Sequence, residues 1–480
     1  MDLDRRPAAL LILLSVLVHI GVPVAASLRT GRVDGYAFRS LDSREYYEIA
    51  RNLIEHGTFG QDPSGTDGLV EPDTWRTPGY PLLLALVMIL AGPSPVVLVI
   101  MQQVLSVLNV WLLFRITRRL MSERRATVAA LLFLFEPYHL FYSLWLLAAT
   151  WFTTLLLLIW YWWIQVLEQG RRGRPRYLAV IVLGVLSGVL VLVRPVGLLV
   201  PVVVFVGLLV GRFTGAGSRR LKPAAQVGTT MRALGRGAVF AATCLLVIGS
   251  WMLRNQVVAG HFALSDQSGV VLAYFKAAEV TLWREGRTVE RYLETSLDPA
   301  YAQRPHAVWE GIDARLRSRF AGLADEQRSA LHWRNLAQGN QTDIDSFAIS
   351  KALARIGWSD LVESPTATAA CCMVRCGSIL TFPLNLAVKP PDGVPLRRWR
   401  SAAIGAIYSL LALAVLVRLC RGAIGFRAVY FPVACTLALL LAATPQVDPR
   451  FRVPMIPLLI AVALLPIRRV DAHPPEARGD

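Results

Sequence analysis

The sequence has little charge, very little lysine and few cysteines. Only 17% of its 480 residues are charged, against 54% hydrophobic. A mean hydropathy of +0.47 is too high for a soluble chain of this length. Acidic residues are missing from the bilayer-length apolar runs, which argues for a polytopic helical membrane protein. Lysine supplies four of the 50 basic residues (Lys222, Lys276, Lys351, Lys389), a bias that a GC-rich genome explains without function. Of the six cysteines, Cys244, Cys420 and Cys435 lie in apolar runs and read as small core residues. Cys371, Cys372 and Cys376 cluster in a loop expected outside, where a disulfide is possible. No second pair of ligands accompanies them, so a metal site is unsupported. Tandem repeats and low-complexity segments are absent.

The net charge of +17 is spread over the ends of hydrophobic runs rather than gathered in one stripe. That is the pattern of a membrane protein with basic cytoplasmic loops, and it excludes a nucleic-acid binder. Read by this rule, Ala8–Ala26 is an uncleaved first helix running outward, and Tyr80–Gly92 is a half-inserted helix on the outer face. Val97–Phe114 crosses inward to the basic RITRRL. Alternation then continues through 126–135, 144–164, 177–193, 196–210, 239–253, 402–417, 429–443 and 455–467, ten spans in all with both ends cytoplasmic. Asp42, Glu136, Arg254 and Arg450 face outside in this scheme, while Arg118, Arg172 and Arg220 face the cytoplasm. Arg397, Arg398 and Arg400 fall outside, against the rule.

Three regions follow. Residues 1–253 form an N-terminal transmembrane core with a first outer loop at 27–80. Residues 254–400 form a small extracytoplasmic helical region, with mixed-charge helical periodicity in IDARLRSRF and DEQRSALHWRNLA. Residues 401–480 form the C-terminal spans and tail. Trp160, Tyr161, Trp162 and Trp163 read as interfacial anchors, and Asn340-Gln341-Thr342 matches a glycosylation sequon.

The outer face collects polar residues that a passive anchor has no use for. Asp42 opens the amphipathic stretch REYYEIARNLIEHG, and as an acid ahead of a helix it reads equally as a helix cap or as a base. Glu136, beside His139 in EPYHLFYS, is the second candidate acid. Asp62, Asp67 and Asp73 lie in a Gly-rich loop and are expected to be solvated. Arg76, Arg254 and Arg450 sit in separate segments of the same face, where the planar guanidinium suits a phosphate. Tyr46 and Tyr80 flank them, and with His139 are the candidate substrate-binding residues.

The motifs that carry these residues occur in a set order: D-S-x-x-Y-Y-x-x-A-x-x-L at Asp42–Leu53, R-T-P-G-Y-P at Arg76–Pro81, V-R-P-V-G at Val193–Gly197, W-x-x-R-N-x-x-x-x-G at Trp251–Gly260 and D-P-R-F-R-x-P at Asp448–Pro454. Together they resemble the polytopic, lipid-phosphosugar-dependent glycosyltransferases of the C-type (GT-C) fold, the group holding protein O-mannosyltransferases and the lipid A aminoarabinose transferase. The resemblance covers most of the chain, least securely Glu279–Arg400. It implies an all-α transmembrane bundle with juxtamembrane helices on the outer face of a bacterial plasma membrane.

It also implies an inverting transfer of a monosaccharide from a polyprenyl-phosphate donor to an extracytoplasmic lipid, glycan or protein. Asp42 would be the general base, and Arg76, Arg254 and Arg450 would hold the donor phosphate. One departure stands out. Relatives carry an acid in L-L-T-E-x-x-F, and here Ala149 occupies that place in Leu146–Phe152, so either Glu136 substitutes or the donor or acceptor differs. No cofactor is expected, and nothing in the sequence supports a divalent metal. The reading from another class is a multi-pass transporter or lipid-linked-sugar flippase. It is disfavoured because the apolar spans lack acids and the polar chemistry collects in loops.

Overall fold

In the computed structural model, the described residues are 6–61, 70–171, 177–210, 223–285, 307–332, 336, 345–381, 396–420, 426–444 and 449–466. Asp62, Asp67, Arg172, Arg220, Asp448 and the Asn340 sequon lie outside them. Among the described residues the regular structure is helical, apart from one two-stranded antiparallel pair, β1 (Gly60–Gln61) with β2 (Glu71–Pro72).

The apolar runs become helices in the expected places. They are α1 (Arg6–Thr30), α4 (Pro95–Thr117), α5 (Glu123–Leu134), α7 (Ala149–Arg171), α8 (Tyr177–Val193), α9 (Leu199–Val210) and α10 (Pro223–Ala259). At the C-terminal end come α17 (Leu396–Cys420), α18 (Phe426–Ala443) and α19 (Ile456–Leu464). Among the described residues four are long and apolar enough to cross a membrane: Ala8–Thr30, Pro95–Thr117, Ala149–Glu168 and Thr230–Ala259. Helices such as α5 and α19 are well short of a ~30 Å hydrocarbon core at ~1.5 Å per residue. The chain is a multi-pass membrane protein. Its apolar surface is still exposed on α1 and α10, where Leu13, Leu17, Leu245, Leu246 and Leu253 have no protein cover. Inside, α8 packs on α7 and α10, and α4 on α1, α5 and α7. Trp160 and Trp163 of α7 stack on Phe431 of α18, joining the two halves of the bundle.

Two helices lie between α1 and α4. The first, α2 (Leu41–His56), ends at Gly57, whose φ of 67° is the left-handed conformation that glycine adopts most easily. The second, α3 (Gly79–Ala91), has 13 residues and spans only ~20 Å. Its first residue must be glycine, because a Cβ on Gly79 would sit 2.7 Å from the Val193 backbone nitrogen. The RTPG turn is thereby pressed against the end of α8, next to Arg194.

A second, smaller core lies apart from the bundle. It is built from α11 (Gln267–Val270), the π-helical turn Val271–Ala277, α12 (Ala278–Arg284), α13 (Ala307–Arg319) and α15 (Ser346–Glu363), with the short α14 (Asp325–Ser329) burying none of its residues in it. Tyr274, Trp309, Ile312, Leu316, Leu353 and Ile356 fill it, and Trp75 of the first loop packs against it. Ser265 Oγ donates to the Trp75 carbonyl at 2.7 Å and Thr74 Oγ1 to Asp266 at 2.9 Å, so this cap is fastened to the loop that carries Arg76.

The cysteine cluster is not the exposed loop expected from sequence. Cys371, Cys372 and Cys376 lie on α16 (Pro365–Thr381), and all three are free. Successive helical positions point ~100° apart, which keeps the neighbouring thiols Cys371 and Cys372 from facing each other.

Candidate active site

The first turn of α2 brings two carboxylates to one face, because residues three apart on a helix are neighbours. They are Asp42 and Glu45, and both hold Arg76. Arg76 Nη2 donates to Asp42 Oδ1 at 2.6 Å, and Arg76 Nε donates to Glu45 Oε2 at 2.6 Å. The other Asp42 oxygen accepts from Arg450 Nη1 at 2.6 Å. Residues 408 positions apart in the chain therefore meet on one carboxylate. Asp42 makes no cap bond to the helix it opens, so the capping alternative gives way to a double ion pair.

Exposure tells which side of this cluster is open. The Arg76 side chain is 8% exposed and that of Glu45 12%, while Asp42 and Arg450 reach 27% and 25%. Burial alone would push the Asp42 carboxyl upward, but the guanidiniums of Arg76 and Arg450 overcome this and hold it well below the usual carboxylate range. Glu45 goes the other way. Its burial outweighs Arg76, and with the Asp42 charge adding to it, pushes the carboxyl up to about 7.

Aromatic rings floor the cluster. Tyr46 meets Tyr80 edge-on with centroids 5.1 Å apart, and the Arg76 guanidinium lies 5.1 Å over Tyr46. Arg194, at the start of the 3₁₀ turn Pro195–Leu198, stacks 5.0 Å over Phe451, the residue after Arg450. Arg194 and Phe451 line a cleft with Phe152, Val196, Leu439 and Met455. A basic residue at the edge of an apolar cleft beside a carboxylate suits an amphiphile with an anionic head.

The loop that presents Arg76 is fixed from behind. Asp73, expected to be solvated, is 5% exposed. Its Oδ1 accepts from the backbone N–H groups of Trp75 and Arg76, and its Oδ2 accepts from Gln61 Nε2 at 2.8 Å. The carboxylate is an internal turn-former, which is why water does not reach it. Arg254 buttresses the same turn, donating through Nη1 to the Asp73 carbonyl at 2.6 Å and through Nη2 to the Phe59 carbonyl at 3.1 Å. Its guanidinium also lies 4.8 Å over Trp251.

Glu136 and His139 belong to a separate cluster. Glu136 caps α6 (Pro137–Tyr142), accepting from the N–H groups of Tyr138 and His139, and it also accepts from the Tyr408 hydroxyl. Arg452 is sandwiched between Tyr138 and Tyr408 at 4.5 and 4.2 Å. His139 is packed between His19 and Phe133. Arg452 ties this brace to the Arg450 segment two residues away.

Sequence reasoning nominated Asp42, Arg76, Arg450, Tyr46 and Tyr80, and the fold brings these together. It missed Glu45 and Arg194. The i, i+3 spacing from Asp42 was the available signal for Glu45, and the V-R-P-V-G motif itself was the signal for Arg194. Among the described residues no three His, Cys, Asp or Glu side chains converge as metal ligands.

Comparison with known proteins agrees with the motif resemblance over part of the chain. Residues 75–253 match the family described as dolichyl-phosphate-mannose-protein mannosyltransferase. That stretch holds Arg76 and Arg194 and stops short of Asp42, Arg254 and Arg450. No curated protein matches. Among solved structures the chain is similar to ArnT from Cupriavidus metallidurans bound to undecaprenyl phosphate. The TM-score is 0.39 at 14% identity, covering 95% of this chain and 77% of that one. It is also similar to the archaeal oligosaccharyltransferase AglB from Archaeoglobus fulgidus in complex with an inhibitory peptide and a dolichol-phosphate, with a TM-score of 0.46 at 14% identity. The match covers 96% of this chain and 50% of AglB, so the chain spans about half the length of that relative.

Proposed function

We propose that this protein is a membrane glycosyltransferase of the GT-C kind, moving a monosaccharide from a polyprenyl-phosphate-linked donor to an acceptor hydroxyl outside the cytoplasm. The observation that carries the reading is the Asp42 carboxylate, partly exposed and held between Arg76 and Arg450 beside an apolar cleft. A sugar phosphate on a long lipid needs an apolar path for its tail, cations for its phosphate and a proton acceptor near the sugar. The cluster supplies the cations and the carboxylate, and apolar side chains of Phe152, Val196, Leu439 and Met455 lie beside Arg194 and Phe451.

The chemistry follows from the charges. The acceptor O–H gives its proton to Asp42 as the oxygen attacks the anomeric carbon from the face opposite the phosphate. The bond from that carbon to the phosphate oxygen breaks, and the lipid phosphate leaves with the electron pair, so the configuration inverts. Arg450 and Arg194 stabilise the phosphate charge as it develops. An arriving phosphate competes with Asp42 for Arg450, and a carboxylate that loses one guanidinium becomes a stronger base. Donor binding thereby raises the basicity of the group that must accept the proton.

Arg76 serves in this scheme by orienting Asp42, and Arg254 by holding the Asp73–Arg76 turn in place. Glu136 serves as a brace rather than as the replacement acid for Ala149. The test is transfer itself. Full-length protein in sealed lipid vesicles, given polyprenyl-phosphate carrying a labelled sugar and an extract of cell-envelope acceptors, should move label to the acceptor and release polyprenyl phosphate. Donor carried across the bilayer intact, with no label transferred, would overturn the reading in favour of a transporter.

A further inference from the structure

The cap carries a second charged surface with the opposite character to the Asp42 cluster. Between the C-terminal end of α13 and the middle of α15 lies a cleft of about 500 Å³, lined by Arg319, Phe320, Ala348, Lys351, Ala352 and Arg355. Lys351 and Arg355 are one helical turn apart on the same face, and Arg319 comes from across the cleft. All three are exposed.

What marks this cleft is where the nearby acids go. Asp360 forms a two-pronged pair with Arg315 at 2.6 and 2.7 Å. Glu363 pairs with Arg284 at 3.8 Å, and Asp325 pairs with Arg328. Among the described residues, none of Arg319, Lys351 and Arg355 has an acidic partner. Like charges one helical turn apart repel, and the third cation across the cleft adds to the repulsion. A bound anion would offset that repulsion. Ala348 and Ala352 keep one wall low enough for a compact group to approach, and half-buried Phe320 provides an apolar floor beside the charges.

We propose that this cleft is an anion-binding site for a phosphate-bearing group, either a soluble phosphate ester or the headgroup of an anionic lipid. Two arginines supply paired donors that fit phosphate oxygens, and Lys351 supplies a point charge between them. The site is separate from the Asp42 cluster but mechanically joined to it. α15 also holds Ser350, whose hydroxyl accepts from the Gly269 N–H at 3.1 Å, and the neighbouring Ser265 and Asp266 bind the Trp75 carbonyl and Thr74. An anion that stiffens α15 therefore stiffens the support of the loop carrying Arg76. The inference does not depend on sugar transfer, since binding is read without a donor.

The test uses the full-length protein in discs of phosphatidylcholine, with hydrogen exchange followed over residues 346–363. Inorganic pyrophosphate added to these discs is one arm, and discs doped with phosphatidylglycerol are the other. Slowed exchange is expected in at least one arm. Protection by pyrophosphate assigns a soluble phosphate ester, and protection only by phosphatidylglycerol assigns the lipid headgroup. Raised salt should weaken it, as for any exposed charge pairing. Apparent affinity should fall about tenfold for each charge-assisted contact removed.

The triple variant Arg319→Gln, Lys351→Gln, Arg355→Gln should lose the protection while keeping the parent's helix content. Lys351→Glu alone, which sets an acid between the arginines, should do the same. No protection in either arm, or equal protection in the triple variant and the parent, would overturn the proposal.

Discussion

Asp42 and Glu136 are both acids at the start of a short helix in a polar loop, and their surroundings send them in different directions. Asp42 is bound by two charged side chains from distant segments and keeps about a quarter of its side chain open. Glu136 is bound by the backbone of its own helix and by Tyr408, and is 5% exposed. Side-chain ion pairs at an open edge can be exchanged for a substrate. Backbone cap bonds in a closed core cannot be exchanged without unravelling the helix end. Position in a loop is therefore not what makes a carboxylate available for chemistry. The identity and exchangeability of its partners are.

The comparison can be broken most forcefully at Asp42 itself. Asp42→Ala should lower transfer by about 10²–10⁴-fold, the usual cost of removing a general base. It should also lower stability, since Arg76 and Arg450 lose their shared partner. Both readouts are accessible from single-turnover transfer and thermal unfolding of the same preparation. A variant with full stability and full transfer would place the base elsewhere.

Arg450→Ala should weaken donor use by about 1.5–3 kcal/mol, the scale of one charge-assisted hydrogen bond, with Arg450→Lys recovering only part of it. Competition binding of polyprenyl phosphate measures this directly. Arg254→Ala sharpens the contrast between arginines. Its donors go to the Asp73 and Phe59 carbonyls, so it should lower the unfolding temperature while leaving the affinity for polyprenyl phosphate nearly unchanged once folded protein is counted. A selective loss of phosphate affinity at Arg254 would return it to the donor site.

Glu136→Ala removes a helix cap and should cost about 0.5–2 kcal/mol of stability, read by denaturant titration. A further contrast concerns pH. Glu45 is pushed up to about 7 from an ordinary value of 4.5, so it favours folding when protonated. Its contribution is complete below about pH 4.5 and is lost as pH rises through 7. Asp42 has the opposite sign, its contribution being present above its ordinary value of 3.8 and lost as pH falls below it. Unfolding temperature should therefore decline between pH 5 and 8 in the parent and decline less in Glu45→Gln. Identical slopes in the two proteins would remove Glu45 from the coupled cluster.

Much of this arrangement is legible in the sequence. Apolar runs punctuated by arginine locate the bundle helices, and the order of short motifs predicts that Asp42, Arg76 and Arg450 share a site despite their separation. Helix lengths are less legible. The charge rule counts ten crossings, while among the described residues four helices have the length and apolarity for a straight span. The surroundings of single residues are less legible, for one physical reason. Asp73 lies in a polar loop and Arg254 near the end of α10, and their partners include backbone groups and a glutamine of another segment that no spacing rule exposes. Arg254 reads from sequence as a phosphate ligand, and the structure shows donors of its guanidinium on two carbonyls. Glu45 is legible in principle, since a carboxylate one helical turn from Asp42 shares its face.

The most direct measurement sets the two carboxylates side by side with their shapes preserved. Asp42→Asn and Glu136→Gln should each be purified in lipid discs, shown to be folded by their unfolding transitions, and assayed for single-turnover sugar transfer. The account predicts that Asp42→Asn folds yet transfers about 10²–10⁴-fold more slowly, while folded Glu136→Gln transfers at close to the parent rate. Normal transfer by Asp42→Asn together with a silent Glu136→Gln would contradict it.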